Sequence, residues 1–550
     1  MTAMPLPVPP TWTTGSTEVF ATGTWRAAMP RHLRAPSPCH QACPINGEIA
    51  DWIGHARQGR WRQAWELLTR RNPFPAIIGR VCHHPCETAC NRSVLDTPIA
   101  ICALERAVGD AALGAGWQFT PPTVERAGRV AVVGAGPAGL SAAFQLRRLG
   151  WQVTLVDGQR QAGGLLRSGI PAYRLSRAVL DTEIDRVLAL GITLRLGQAV
   201  QTAEDWQALR ATHDAVFVAT GAARPRRLPG LPYGGLRVMD GAAWLAAANA
   251  GHPPALGPAV LVIGGGSAAL DAARSARRAG HAVTLLALEP RAAMPAQPAE
   301  LHEALEEGVK LVDGAMLQRL TSEADGLHLH CVQVRLRPAG PGAPPVPEAL
   351  PDSAFALSAD ALLVSIGQDA DLDALAGWLP AQGRVLTVDA QGLTGHDGWW
   401  AGGDVASHDR HVSSAIGMGR RAALAIHRQL CGETTAVAAA EPVVSAGAIA
   451  TWYHDPAPRA DAGRLPVALR LAGGAEVQCG LDADAAIAEA SRCFSCGLCV
   501  ACDQCVTWCP DLAVWRDDAG YHIDAEHCKG CGLCVRECPS GAMVLEEEQT

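Results

Sequence analysis

The chain has 550 residues, 48% of them hydrophobic and 18% charged, with a formal net charge of −8. This length predicts about three to five domains with several apolar cores, and the mild acidity argues against a nucleic-acid partner. No apolar run approaches the ~18 residues of a membrane-spanning helix and no basic-then-apolar leader opens the chain, so a soluble cytoplasmic protein without a membrane span is expected.

Cysteine placement is uneven. Of 19 cysteines, five lie between Cys39 and Cys90, ten lie after residue 490, and Cys102, Cys331, Cys431 and Cys479 are scattered. A secreted disulfide framework would spread them; grouped thiols point to metal chemistry in a reducing compartment.

The middle of the chain carries one pattern twice, 130 residues apart. In the first copy the apolar run 130–133 leads into Gly134-Ala135-Gly136-Pro137-Ala138-Gly139, a helical stretch to Arg148, and a second strand over 153–156 with Asp157 at its end. In the second copy 260–263 leads into Gly264-Gly265-Gly266-Ser267-Ala268-Ala269, a helix to Arg278 and a strand over 283–286. A glycine fingerprint between a buried strand and a helix predicts a dinucleotide fold. The first glycine permits the turn, the second admits the pyrophosphate, and the third position packs helix on strand. The helix N-terminus then faces the phosphates. Asp157, 23 residues beyond Gly134, is placed to accept hydrogen bonds from a ribose hydroxyl.

Further on, Ala219-Thr220-Gly221 follows an apolar strand, and Ala401-Gly402-Gly403-Asp404 precedes a helix from Val412. In flavoproteins with two dinucleotide folds a late Gly-Asp element returns to the first domain and touches FAD. FAD is therefore assigned to the first copy and the nicotinamide nucleotide to the second. Residues 140–330 contain no cysteine, which argues against a dithiol relay to the flavin. The Pro/Gly/Ala stretch at 338–351 reads as a surface loop.

At the C-terminus, Cys499, Cys502, Cys505 and Cys509 form C-x2-C-x2-C-x3-C before Pro510. Cys528, Cys531, Cys534 and Cys538 repeat the spacing before Pro539. Such runs hold two [4Fe–4S] clusters, the fourth cysteine of each run serving the other cluster. C-x2-C is also zinc spacing, but two complete copies ending in Cys-Pro favour iron–sulfur. Cys493 and Cys496 are surplus to two clusters: an alternative ligand pair, part of a further metal site, or free thiols. The acidic run 546–548 reads as a solvated tail.

Cys39-His40-Gln41-Ala42-Cys43-Pro44, Asn72-Pro73-Phe74-Pro75 and the runs 79–90, 163–174 and 415–420 stand in order along the chain. With them, residues from about 30 to 550 resemble the small-subunit type of NAD(P)H-dependent glutamate synthase, the group that includes the flavin half of dihydropyrimidine dehydrogenase. The resemblance implies an N-terminal extension (1–30), an N-terminal α-helical iron–sulfur domain (31–122) and two tandem Rossmann-like α/β domains. An NAD(P) domain (222–358) is inserted in the FAD domain (123–221 and 359–432). A linker (433–490) then leads to a C-terminal α+β bacterial-type ferredoxin domain (491–550). It also implies FAD contacts at Gly164, Leu165, Arg174, Val200, Thr220, Gly221, Gly403 and Asp404, and nucleotide contacts at Gly264, Gly266, Ser267, Ala268 and Gly367.

Two departures from the family are informative. NADPH-specific relatives commonly read Tyr-Arg-Arg-Ser-Arg after the second strand, where this chain reads Ala287-Leu288-Glu289-Pro290-Arg291. A carboxylate at Glu289 repels a 2′-phosphate and suits free ribose hydroxyls, predicting NADH over NADPH; the alternative leaves Glu289 in a solvated loop and lets Arg291 hold the phosphate. Relatives with two N-terminal clusters carry a C-x2-C pair at the positions of Arg31 and Arg34. Arginine does not ligate iron, so one N-terminal [4Fe–4S] cluster is expected. By resemblance Cys43, Cys82 and Cys86 supply three ligands and Glu105 the fourth, with Cys90 or Cys39 as substitutes, against the plainer alternatives of zinc or buried packing thiols.

The expected function is an electron-transfer oxidoreductase subunit of a hetero-oligomer. It would turn the hydride of NADH into single electrons for a 2-oxoacid oxidoreductase-type partner or a ferredoxin. The alternative is the small subunit of NADPH-dependent glutamate synthase, feeding a separate large subunit. No side chain is required as nucleophile or general acid.

Overall fold

The computed structural model describes residues 21–23, 26–235, 237–340, 345–433 and 442–548. Each fingerprint strand nucleates a five-stranded parallel sheet. In the first sheet the order is Trp399–Ala401, Ala215–Val218, Arg129–Val133, Gln152–Asp157 and Thr193–Leu196. In the second it is Lys310–Val312, Ala282–Leu286, Ala259–Ile263, Ala361–Val364 and Val238–Asp240. The fingerprint strands are covered on both faces, which is why they read as unbroken apolar runs.

The inserted domain is joined through a short crossing, where Arg224–Pro225 pairs antiparallel with Gln368–Asp369. It runs past the boundary expected at 358, because Ala361–Val364 pairs with Ala259–Ile263 in the second sheet. An antiparallel sheet of Ala315–Glu323, Gly326–Arg337 and Val346–Ala359 packs against it. The third of these strands takes up 346–351, so the loop expected at 338–351 is shorter, and its residues 341–344 lie outside the described ones.

Helices Ile49–Ala56, Trp61–Leu68, Pro75–Val81 and Ile101–Gly114 form the N-terminal domain, the first two and the last packed around the buried Trp52 and Trp65. The start of Pro75–Val81 is capped from the neighbouring domain. Glu183 accepts hydrogen bonds from the N–H groups of Ala76 (3.2 Å) and Ile77 (2.9 Å). It is fully buried, and burial pushes its carboxyl up to about 7. The two N–H groups at the helix N-terminus oppose that rise, and burial outweighs them.

Two stretches expected to be loose are structured. Of the linker expected at 433–490, residues 434–441 lie outside the described ones; the remainder carries the helices Val467–Ala472 and Ala483–Ser491. Ala486 and Ala490 join the N-terminal core, and Glu476 pairs with Arg80 at 2.8 Å and Arg106 at 2.9 Å. Of the acidic run expected as a solvated tail, Glu546 and Glu547 belong to the strand Met543–Glu547, which pairs antiparallel with Ala28–His32, while their side chains stay open to solvent. Two of the run's three charges are matched, Glu546 by Arg31 at 2.8 Å and Glu548 by Arg26 at 2.7 Å. Among the described residues no helix is long and apolar enough to cross a membrane.

Candidate functional site

The two fingerprint loops share one geometry. Gly134 (φ +111°) and Gly264 (φ +143°) make the turns, and a Cβ added to either would lie 2.2 Å from Ala219 O and 2.3 Å from Ser365 O respectively. The second glycines are open: nothing lies closer than 3.9 Å to a Cβ at Gly136, and nothing within 4 Å at Gly266. The third position is closed, since a Cβ at Gly139 would lie 1.8 Å from Gly134 O, and Ala269 is fully buried. Pro137 and Ser267 begin the helices Pro137–Arg148 and Ser267–Arg278, with Ala138 buried and Ala268 exposed. A turn, an open approach and a packed helix are what a pyrophosphate at a helix N-terminus requires. Both cradles fit a dinucleotide.

Asp157 is held at the mouth of the first cradle. Its carboxylate accepts from Ala135 N at 2.6 Å and Gln159 N at 2.7 Å, with lone pairs to spare for a hydroxyl. Gly164 leans on the same loop, 2.9 Å from Gly136 Cα if given a Cβ, and the exposed Leu165 follows it. Gly403 (φ +78°) returns to the helix start, where an added Cβ would stand 2.8 Å from Ala138 Cβ. Next to it, burial pushes the Asp404 carboxyl upward. Thr220 and Gly221 lie just past the Ala219 carbonyl that Gly134 touches. Val200 packs against the core that contains Trp206 and Leu375.

Arg174 goes elsewhere. Its guanidinium is shared between Asp271 at 2.6 Å and Glu300, both in the inserted domain. It ties the two nucleotide domains together rather than reaching a cofactor, because two carboxylates occupy both ends of its fork. Gly367 (φ +102°) sits at the domain crossing beside Arg226. Glu289 does reach the second cradle: a Cβ at Gly265 would lie 2.5 Å from Glu289 Oε2. Arg291 has its backbone N–H bound to Asp313 at 2.6 Å and its side chain exposed.

The cysteines gather in fours. Cys43 ends the helix Pro38–Ala42, Cys82 follows Pro75–Val81, Cys86 lies in Pro85–Thr88, and Glu105 lies in Ile101–Gly114. These four are mutual electrostatic neighbours. Burial first, and adjacent acidic groups second, push Cys43 up to about 11 and Cys82 up to about 12; burial pushes Glu105 up to about 8. Such groups shed their protons together when a cation binds among them. Glu105 Oε1 accepts from Asn72 Nδ2 at 2.6 Å, leaving Oε2 for a ligand bond.

In the C-terminal domain Cys499, Cys502 and Cys505 stand with Cys538, and Cys528, Cys531 and Cys534 with Cys509. Each run thus lends its fourth cysteine to the other. Cys39 and Cys90, weighed as substitutes in the N-terminal set, line a separate pocket with Cys493 and Cys496. That convergence escaped the sequence, where the C-x2-C spacing of Cys493 and Cys496 is the sole hint. A single zinc with Zn–S of about 2.3 Å would bring sulfurs to about 3.8 Å from one another. Among the described residues no three cysteine sulfurs lie mutually within 4.8 Å.

The set around Cys82 touches both nucleotide domains. Gln297 Nε2 of the inserted domain donates to Cys82 O at 3.3 Å. His83 packs on His411 at 4.3 Å, just before the helix Val412–Leu430. A Cβ at Gly417 of that helix would lie 2.1 Å from Pro44 O, next to Cys43.

Comparison with known proteins agrees with this layout. Residues 128–419 match the pyridine nucleotide-disulphide oxidoreductase family, 31–117 match dihydropyrimidine dehydrogenase domain II with its 4Fe-4S cluster, and 521–544 match the 4Fe-4S binding domain. The NADP(+)-dependent formate dehydrogenase subunit beta of Moorella thermoacetica is 35% identical over 503 residues, covering 84% of this chain and 70% of that protein. The NAD-dependent dihydropyrimidine dehydrogenase subunit PreT of Escherichia coli K12 is 32% identical over 400 residues, covering 72% of this chain and 92% of that protein. The glutamate synthase [NADPH] small chain of Mycobacterium tuberculosis is 32% identical over 445 residues, covering 74% of this chain and 88% of that protein. The chain belongs to the pyridine nucleotide-disulphide oxidoreductase family, in its glutamate synthase small-subunit-like group of FAD and iron–sulfur oxidoreductases.

Proposed function

We propose that this chain is the pyridine-nucleotide-linked subunit of a larger redox enzyme, passing electrons between NADH and a partner through FAD and [4Fe–4S] clusters. The observation that carries this is the position of the Cys43, Cys82, Cys86 and Glu105 set, in contact with both nucleotide domains through Gln297, His411 and Gly417. Bound FAD supplies the exchange of a hydride for single electrons, and clusters carry those electrons one at a time.

The side chains bind and orient. The open faces of Gly136 and Gly266 admit the two pyrophosphates, and Asp157 accepts from the FAD ribose. Arg174, shared by Asp271 and Glu300, fixes one nucleotide domain against the other, which sets how the two rings face. Glu289 above Gly265 accepts the ribose hydroxyls of NADH and repels a 2′-phosphate. Relatives are named for NAD and for NADP(+), so the preference follows this chain's own residues.

The exposure of Cys499, Cys502 and Cys531 supports an electron outlet at the surface of the C-terminal domain. A 2-oxoacid oxidoreductase-type subunit or a ferredoxin takes the electrons there. A second reading, the small subunit of an NADPH-dependent glutamate synthase, is supported by the relative of that name; co-purification of a large synthase subunit would select it.

The test is anaerobic. NADH bleaches the flavin of the purified holoprotein, and kcat/KM for NADH exceeds that for NADPH by about tenfold or more. Unbleached flavin overturns the function; a preference for NADPH overturns the nucleotide assignment.

A further inference from the structure

Four cysteines outside the sets described for the flavin side and the ferredoxin share one pocket: Cys39, Cys90, Cys493 and Cys496, with Ile53 and Phe494 beside them. Each of these sulfurs is an electrostatic neighbour of the other three. Cys39 precedes Cys43 by one helical turn, closed by Cys43 N–H donating to Cys39 O at 3.2 Å, and Cys90 follows Cys86 by four residues, just past the helix Pro85–Thr88. On the other side Cys496 precedes Cys499 by three residues. The pocket is therefore joined along the chain to the flavin-side set on one side and to the ferredoxin on the other.

The C-terminal segment is pinned at this place. Asp482 caps the helix Ala483–Ser491 by accepting from Ala485 N at 2.8 Å. The buried Arg492 donates to Glu489 at 2.7 Å, Asp96 at 2.9 Å and Thr97 O at 2.7 Å, and its own carbonyl accepts from Arg92 Nη1 at 2.8 Å. Beyond Cys496, Gly497 N–H donates to Ser540 O at 2.7 Å and Gly497 O accepts from Ala35 N at 3.3 Å. The approach is close enough that a Cβ on Gly497 would lie 2.0 Å from Ala35 O.

Ala35 directly follows Arg34. Arg31 and Arg34 stand in C-x2-C spacing, yet both are committed to ion pairs, with Glu546 at 2.8 Å and Asp51 at 2.5 Å. Cys493-Phe494-Ser495-Cys496 brings the same spacing to the same neighbourhood from the far end of the chain. The sulfurs have polar partners as well: Ser37 Oγ lies 3.1 Å from Cys39 Sγ, Ser495 N–H donates to Cys493 Sγ at 3.4 Å, and Asn91 Nδ2 donates to Cys496 Sγ at 3.6 Å. Hydrogen bonds onto sulfur stabilise and tune cluster thiolates.

We propose that Cys39, Cys90, Cys493 and Cys496 hold a further [4Fe–4S] cluster that bridges the N-terminal helical domain and the ferredoxin. This deepens the function proposed above and rests on it for the direction of flow. Passage is one electron at a time. An electron leaves the set at Cys43, enters the bridging set, and leaves for the set at Cys499, so the bridge returns to its starting oxidation state. The nucleotide supplies the electrons and the partner's acceptor takes them.

The experiment counts iron and acid-labile sulfide in the anaerobically prepared full chain. Four clusters give about sixteen of each per chain, whereas three give about twelve. The C493S/C496S and C39S/C90S double variants should each fall to about twelve and lose the same reduced-cluster EPR signal, while C479S, at an exposed thiol outside all four sets, keeps the full complement. Flavin content and bleaching by NADH should stay at the wild-type level in both double variants. That readout separates failure of this inference from failure of the proposed function. A wild-type count of about twelve, zinc bound at this site, or double variants that keep all their iron would overturn the bridge. The wild-type count decides even if a variant fails to fold.

Discussion

The eight cysteines gathered in the ferredoxin all lie between Cys499 and Cys538, whereas the sets gathered at the N-terminal helical domain draw on residues from Cys39 to Glu105 and, in the shared pocket, as far as Cys496. The first arrangement needs little beyond tight turns, as at Gly530 (φ +72°) and Gly532 (φ +74°). The second exists only when separate domains are docked. The N-terminal domain is held from outside by Glu183 at the start of Pro75–Val81, by Glu476 on Arg80 and Arg106, and by Arg492 on Asp96. Local cluster sites should therefore survive perturbations of domain docking that empty the distributed ones.

The contrast breaks most severely if a ligand is removed. Cys534→Ser should stop electron delivery to an external ferredoxin, by about a hundredfold or more, while NADH still reduces the flavin. Cys82→Ser should also block delivery, but by emptying the flavin-side set and leaving the ferredoxin iron in place. Iron counts together with the two rates distinguish these cases, and equal iron loss from both domains in either variant would erase the contrast.

Docking itself comes next. Arg492→Met leaves the buried Glu489 without its cation, at a cost of about 3–5 kcal/mol, and leaves Asp96 with Arg92 alone. Chemical unfolding should register that loss, and the bridging iron should go while the ferredoxin signals persist. Glu183 makes docking depend on pH. Burial raises its carboxyl from 4.5 to about 7, so folding favours the protonated form. Its contribution is fully present below the unfolded value of 4.5 and is lost as pH rises through about 7. Stability should fall over that window by at most about 3 kcal/mol. Glu183→Gln should flatten the dependence of Tm on pH; an unchanged slope would remove Glu183 from the account.

The smallest effect concerns the nucleotide. Glu289→Gln should weaken the preference for NADH over NADPH by about tenfold, or ~1.4 kcal/mol, read from the two kcat/KM values.

Much of this was legible in the sequence because it is local. Each strand–glycine–helix fingerprint spells out its own turn, and Gly134, Gly136 and Gly139 do three different steric jobs within six residues. The C-terminal cysteine comb is just as self-contained. Partnerships across the chain were not legible. The apolar run Ala361–Val364 does not say which sheet it joins, so the inserted domain was drawn too short. Met543–Glu547 reads as an acidic end unless its partner strand Ala28–His32 is known. Arg174 matched a family stretch, but the carboxylates that claim it, Asp271 and Glu300, lie in the other nucleotide domain. Cys493 and Cys496 looked surplus for the same reason, since their companions Cys39 and Cys90 stand at the opposite end.

Rapid anaerobic mixing with NADH, followed at flavin and iron–sulfur wavelengths, tests the central claim most directly. Flavin absorbance should fall first, and cluster absorbance should follow within the same turnover, in a protein carrying iron at both ends. Reduced flavin beside clusters that stay oxidised would contradict the account.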